Sequence, residues 1–104
     1  MPWTLQDADR IYQIYETEMR PKLAHLPSYY FRRQCYTAFM TDDVGLHLAK
    51  QFDFADNLVW SADYPHGEST FGESRNEVKK IFDVLGDEAG KNVVGGTAAR
   101  LWNI

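Results

Sequence analysis

The run Leu58-Val59-Trp60-Ser61-Ala62 leads straight into Asp63, and no other stretch restricts the fold of this chain as closely. Five residues with almost no polar interruption predict a short strand covered on both faces, the pattern of a parallel sheet. Parallel strands cannot be joined by a tight hairpin; a crossover, usually a helix, must lie between them. Strand side chains alternate between faces, so Val59, Ser61 and Asp63 are expected on one side and Leu58, Trp60 and Ala62 on the other.

The partner strand is expected in Gln34-Cys35-Tyr36-Thr37-Ala38-Phe39-Met40, rich in aromatic and β-favouring residues. Asp42-Asp43 then opens a predicted helix to about Gln51, because carboxylates suit a helix N-terminus. Upstream, Leu5, Ala8, Ile11, Tyr12, Tyr15 and Met19 recur at spacings of three and four and predict an amphipathic helix from Thr4 to about Met19. Thr4 is its expected N-cap, with Asp7 as capping partner. Pro21 and Pro27-Ser28 are expected breaks. Downstream, Ser74-Arg75-Asn76-Glu77 has the form of a capping box. Val78, Ile81, Phe82 and Leu85 then mark a helix face, and Gly86 a stop. A short helix from Asp87 to about Val94 follows, Gly95-Gly96 breaks the chain, and Thr97 caps a last helix through Trp102. Strands separated by helices place the chain in the α/β class, with two short parallel strands in mostly helical surroundings.

A length of 104 residues allows one domain at most. The net charge of −4 and the absence of a basic stripe exclude nucleic acid as a partner. No apolar run approaches the ~20 residues that cross a bilayer. Met1-Pro2-Trp3-Thr4 has neither the basic start nor the apolar stretch of a signal peptide. Cys35 is the single cysteine, so no internal disulfide forms and a reducing cytoplasm is the expected compartment. Three Trp, six Tyr and six Phe call for a large interior or a partner.

The residues that carry chemistry lie in the loop from Asp63 to about Glu73. A carboxylate at the C-terminal end of a strand, on the face shared with a branched and a small residue, suits the mouth of a β/α barrel, where that end is the catalytic face. Pro65 restricts Tyr64 to extended conformations, and His66 and Glu68 stand in the same loop. Glu68 is expected in solvent, His66 is expected to bond to backbone or to a neighbouring carboxylate, and His25 and His47 are expected on the surface. Cys35 is expected to pack as a small hydrophobe, and Arg32 and Arg33 to pair with surface acids.

Asp63-Tyr64-Pro65-His66, with Glu68-Ser69-Thr70 behind it, resembles the last-strand motif of the amidohydrolase-2 family. Pro27-Ser28 followed by Tyr30-Phe31-Arg32-Arg33-Gln34 resembles that family's entry into its seventh strand. Gly95-Gly96-Thr97-Ala98-Ala99-Arg100-Leu101-Trp102 resembles its C-terminal helix, with Thr97 where Asn is usual and Ala62 where Ser is frequent. The resemblance implies a C-terminal fragment of a (β/α)8 TIM-like barrel. Residues 1–104 would form a single partial domain holding its last two to three β/α units.

By the same resemblance the complete enzyme binds a divalent metal, zinc above all. It hydrolyses C–N or C–O bonds of small, often cyclic substrates, or in some relatives decarboxylates aromatic acids without oxygen. Asp63 would be both metal ligand and catalytic residue, and His66 a substrate-binding residue. The family's His-x-His pair has no counterpart among His25, His47 and His66. A catalytic zinc site usually has about three protein ligands, so this chain alone is expected to be inactive. Two strands cannot close a barrel, and their open edges predict a homo-oligomer or association with missing N-terminal barrel segments. The alternative is a small, non-catalytic, self-associating helical interaction or structural protein.

Overall fold

The computed structural model describes residues 1–104, which divide into two compact units, Met1–Cys35 and Tyr36–Ile104.

The first unit holds two helices, α1 (Pro2–Tyr15) and α2 (Pro27–Gln34). Each begins with a proline, which suits the first helical position because its missing N–H would be unpaired there anyway. Pro2 therefore starts α1, Met1 takes the cap position, and Thr4 lies inside the helix rather than capping it. The regular helix ends at Tyr15, whose carbonyl accepts from the N–H groups of both Glu18 and Met19, so Met19 falls in a turn. Pro27-Ser28 opens a helix instead of breaking the chain. Leu26 at its cap has no side chain to offer, and the Ser28 N–H donates to Asp9 Oδ1 of α1 at 2.8 Å. An acid distant in sequence thus meets one of the orphan donors of the α2 N-terminus. Arg32 and Arg33 occupy the last turn of α2, where cations complement the helix dipole. Tyr12 is the buried side chain of α1. Its hydroxyl donates to the Leu23 carbonyl at 3.2 Å and accepts from the Leu23 N–H at 2.9 Å, which pins the connecting segment to the helix.

The second unit is α/β and mostly helical. Its two strands, β1 (Thr37–Phe39) and β2 (Leu58–Trp60), pair in parallel with Thr37 opposite Leu58, Ala38 opposite Val59 and Phe39 opposite Trp60. The parallel pairing and the helical crossover are as expected. The strands are shorter than expected, since α2 takes Gln34 and regular strand geometry ends at Trp60. The crossover is α3 (Asp43–Gln51), followed by a 3-10 turn, Ala55–Asn57. Asp42 caps α3 by accepting the Gly45 N–H at 2.7 Å. After the loop come α4 (Ser74–Leu85), α5 (Asp87–Lys91), a π turn (Asn92–Gly96) and α6 (Thr97–Trp102).

Leu46 of α3, Ile81 of α4 and Val93 of the π turn form the core, with Phe39, Leu58, Trp60, Val84, Leu85 and Val94 packed around them. Both strands thus bury side chains against helices on one side of the sheet. Trp60 is fixed further by its indole N–H, which donates to the Met40 carbonyl at 3.0 Å. Lys80 of α4 stands 2.9 Å from Glu77 and 3.8 Å from Asp43, at the N-terminus of α3. The hydrogen bond to Glu77 holds its ammonium above the ordinary 10.5, opposed by burial and assisted by Asp43. No helix is long and apolar enough to cross a membrane.

Two local expectations are replaced. Ser74 is the first residue of α4, not its cap; its hydroxyl donates to the Thr70 carbonyl at 2.8 Å, while Glu77 turns to Lys80. Gly95-Gly96 does not break the helix either. The Thr97 N–H reaches back five residues to the Asn92 carbonyl, so the chain widens into one π turn and continues. Thr97 is buried in helical conformation, and Arg100 bridges Thr97 Oγ1 at 3.2 Å and Asn92 Oδ1 at 3.0 Å.

Candidate functional site

The candidate site is the loop that leaves β2. The last ladder bond runs from the Ser61 N–H to the Phe39 carbonyl at 3.0 Å. This bond delivers the chain to the end of the sheet where both parallel strands present their C-termini. Regular strand geometry ends at Trp60, and Asp63 adopts a left-handed backbone with φ 57°. Few side chains other than glycine tolerate that region, and Asp is one of them. The expectation that Val59, Ser61 and Asp63 share a face rested on strand alternation, and regular alternation does not extend to Asp63. The acid is presented by a turn rather than by the strand itself.

That turn is closed by the His66 N–H donating to the Asp63 carbonyl at 3.0 Å, around a cis Tyr64–Pro65 bond. The Ser61 hydroxyl accepts the Asp63 N–H at 3.3 Å. Within the turn, His66 Nδ1 lies 3.0 Å from Asp63 Oδ2. An ionised carboxylate only accepts hydrogen bonds, so Nδ1 carries the proton and donates. No protein group bonds to Asp63 Oδ1 or His66 Nε2. Both side chains stand open, His66 at 71% exposure and Asp63 at 47%.

The rest of the loop is stapled at its base. The Thr70 N–H donates to the Ala62 carbonyl at 3.0 Å, and Ser69 donates to the His66 carbonyl at 3.1 Å. Thr70 is buried, and its backbone receives the Ser74 hydroxyl. The fixed base carries an open apolar pair, Tyr64 and Phe71, with ring centroids 5.2 Å apart. Glu68 is exposed, as expected.

The structure brings Asp63 and His66 together and adds no third ligand. His47 on α3 engages the Asp43 carbonyl through Nδ1 at 2.7 Å. His25, in the first unit, stacks on Tyr29 with centroids 4.1 Å apart. No group of three or more His, Cys, Asp or Glu side chains is gathered closely enough to hold a metal ion. The pair fits zinc in kind, since carboxylate oxygen and imidazole nitrogen are both ligands that zinc accepts. In number it falls short of the usual three, so the remaining donors would come from outside this chain. Cys35, expected inside a strand, lies exposed just after α2.

A bond from His66 to a neighbouring carboxylate was among the expected uses of this loop histidine, and the structure identifies that carboxylate as Asp63. The signal for that partner was the spacing of three residues across a proline, which a turn closes. The Arg100–Thr97–Asn92 bridge was missed, because the glycine pair suggested a break. No family model matches the chain, and no curated protein matches it.

Proposed function

We propose that this chain is the C-terminal part of a metal-dependent hydrolase of the amidohydrolase superfamily, contributing the Asp63–His66 loop to an active site completed by other segments or another chain. The observation that carries this reading is the position of the pair. A carboxylate bonded to an imidazole stands in the loop directly after β2, at the C-terminal end of a parallel sheet, where β/α enzymes place their chemistry. The crossover α3 between β1 and β2 is the repeating unit of a (β/α)8 barrel, and the fold supports that larger architecture to this extent.

When bound, a divalent metal would supply water acidified toward a pKa of ~7. Asp63 Oδ1, which carries no protein bond, is the atom by which this chain would hold the ion or accept the proton of that water. Oδ2 keeps His66 in place, and in this reading His66 would contact the substrate. The reaction in this reading is hydrolysis of C–N or C–O bonds in small, often cyclic compounds, with non-oxidative decarboxylation as the related outcome. Competition with a chromogenic chelator tests the reading on the full chain. Saturable zinc binding is expected, at least tenfold weaker in Asp63→Ala. An affinity unchanged in that variant overturns it.

A second reading has an observation of its own. Phe71 is 75% exposed, Trp102 64% and Ile104 91%, a large apolar area for so small a chain. These residues fit a self-associating interaction module with no catalysis. Analytical ultracentrifugation over a wide concentration range separates the two. Self-association abolished by Trp102→Ser and Ile104→Ser, with no zinc affinity, favours the module.

A further inference from the structure

A two-stranded sheet has two outer edges, and the N–H and C=O groups along them are left for another partner. The Ser61 N–H bond to the Phe39 carbonyl fixes which groups those are in β1. In a parallel ladder, a residue bonded to the neighbouring strand uses both its N–H and its C=O, and the next residue turns both away. With Thr37 opposite Leu58 and Phe39 opposite Trp60, Thr37 and Phe39 face β2 and Ala38 faces outward. No loop or turn bonds to the Ala38 backbone. Ala38 is also the exposed residue of β1, whereas every residue of β2 is partly buried and the π turn and α6 lie beside that strand. The open edge is therefore that of β1. Its stretch Tyr36-Thr37-Ala38-Phe39-Met40 has no charge, no proline and no glycine, and so none of the usual devices that keep an edge from pairing.

We propose that this edge binds the same edge of a second copy of the chain, with the two β1 strands antiparallel and Ala38 opposite Ala38 across a two-fold axis. A two-fold interface brings a surface against itself, so the surface must complement itself, and this one does. Each Ala38 N–H donates to the carbonyl of its counterpart, which satisfies the groups that β2 leaves free. Thr37 comes opposite Phe39 on the face that packs on the core. Tyr36 comes opposite Met40 on the other face, an aromatic ring against a thioether. No pair sets like charges against each other. The charge pattern names the occupant: a neutral edge favours a neutral strand, and this chain carries one that fits in register. Pairing also turns two strands into a four-stranded sheet, β2-β1-β1-β2, past the roughly three strands that an independently stable sheet needs. The contact lies on the backbone of β1 and needs none of the side chains of Phe71, Trp102 and Ile104.

Sedimentation velocity of the full chain over a wide concentration range reads the dimer, and variants at Ala38 locate it. Ala38→Pro removes the outward N–H and keeps the bonds to β2, so the dimer is expected to dissociate at a concentration about tenfold higher or more. In Ala38→Lys, and in Ala38→Glu, like charges face each other across the axis. Each alone is expected to be monomeric where the unsubstituted chain is dimeric, and mixing the two restores a dimer with one copy of each. Far-UV circular dichroism checks that each variant is folded, and the mixing result stands even where Ala38→Pro is not. Trp102→Ser is expected to leave the dimer unchanged. A chain that stays monomeric at the highest attainable concentration overturns the proposal and leaves the edge to a strand of another chain. Association that survives all three Ala38 variants overturns it, as does association lost in Trp102→Ser, which places the contact on the C-terminal side chains. Lys and Glu variants that dissociate alone and fail to pair when mixed overturn the antiparallel register.

Discussion

Gly86 joins α4 to α5 with φ 84° and ψ 177°. Residues with a Cβ hardly enter that region, and holding one there costs about 1–3 kcal/mol. Nothing lies within 4 Å of a Cβ built at Gly86, so the cost of a side chain is the backbone conformation alone. Gly86→Ala is therefore expected to lower stability by about 1–3 kcal/mol, read as a lower urea midpoint with an unchanged slope. An unchanged midpoint would show that the chain relaxes out of this bend at no cost. The stop at Gly86 was visible in the sequence for the same physical reason. The role of Ser74 was not. Its hydroxyl had two acceptable uses, and the buried carbonyl of Thr70 in the loop outcompeted the helix N-terminus. Asp63 lies between these cases. Its identity as the acid after β2 was legible, but its left-handed backbone and its bond to His66 depend on turn geometry that alternation rules do not contain.

Among the elements, α3 shows how two neighbouring choices depend on each other. Asp42 caps the helix through the Gly45 N–H, and a Cβ on Gly45 would run into the Asp42 carboxylate. Glycine inside a helix costs roughly 0.8–1.0 kcal/mol against alanine, while a lost Asp cap costs about 1 kcal/mol. In Gly45→Ala the two effects oppose, and little net change is expected. In Asp42→Ala alone the cap is lost and stability falls by about 1 kcal/mol. With the cap already gone, adding Gly45→Ala should recover nearly the whole propensity gain. Thermal melts of the two single variants and the double variant measure this coupling. Additive effects would show that the cap and the glycine are independent.

The opening of α3 was legible because Asp42-Asp43 has one dominant physical meaning. The start of α2 was not, because Pro27 breaks a preceding helix and begins a following one equally well, and the Asp9 contact that settles the matter comes from a distant position. Gly95-Gly96 misled for a related reason. Two glycines weaken a helix without ending it, and the π turn keeps the backbone bonded through them.

At the scale of the whole molecule, the two units differ in what holds them. In Met1–Cys35 the buried side chain is Tyr12, tied to Leu23 by two hydrogen bonds. In Tyr36–Ile104, Leu46, Ala49, Phe54, Ile81 and Val93 are buried, along with Asn57, Thr70 and Thr97. Each fully buried large apolar side chain contributes about 1.5–3 kcal/mol, so resistance to local opening should be concentrated in the second unit. Native-state hydrogen exchange is expected to find the slowest amides around Leu46, Ile81 and Val93. Those of α1 and α2 should exchange at least about tenfold faster, a difference of about 1.4 kcal/mol. Ile81→Ala, which leaves a cavity in the core worth about 2–5 kcal/mol, should speed the slow amides of residues 36–104 together. If the α1 amides prove as well protected as those of α4, the first unit is held by more than its own burial. The division also bears on the site. The Asp63–His66 loop is anchored through Ala62 and Thr70 to the better-packed unit, so a metal-dependent role would be built on the part of the chain least prone to open. Zinc added during exchange should then slow the amides of the 62–70 segment before those of α1. Slowing confined to residues 1–35 would place the metal elsewhere.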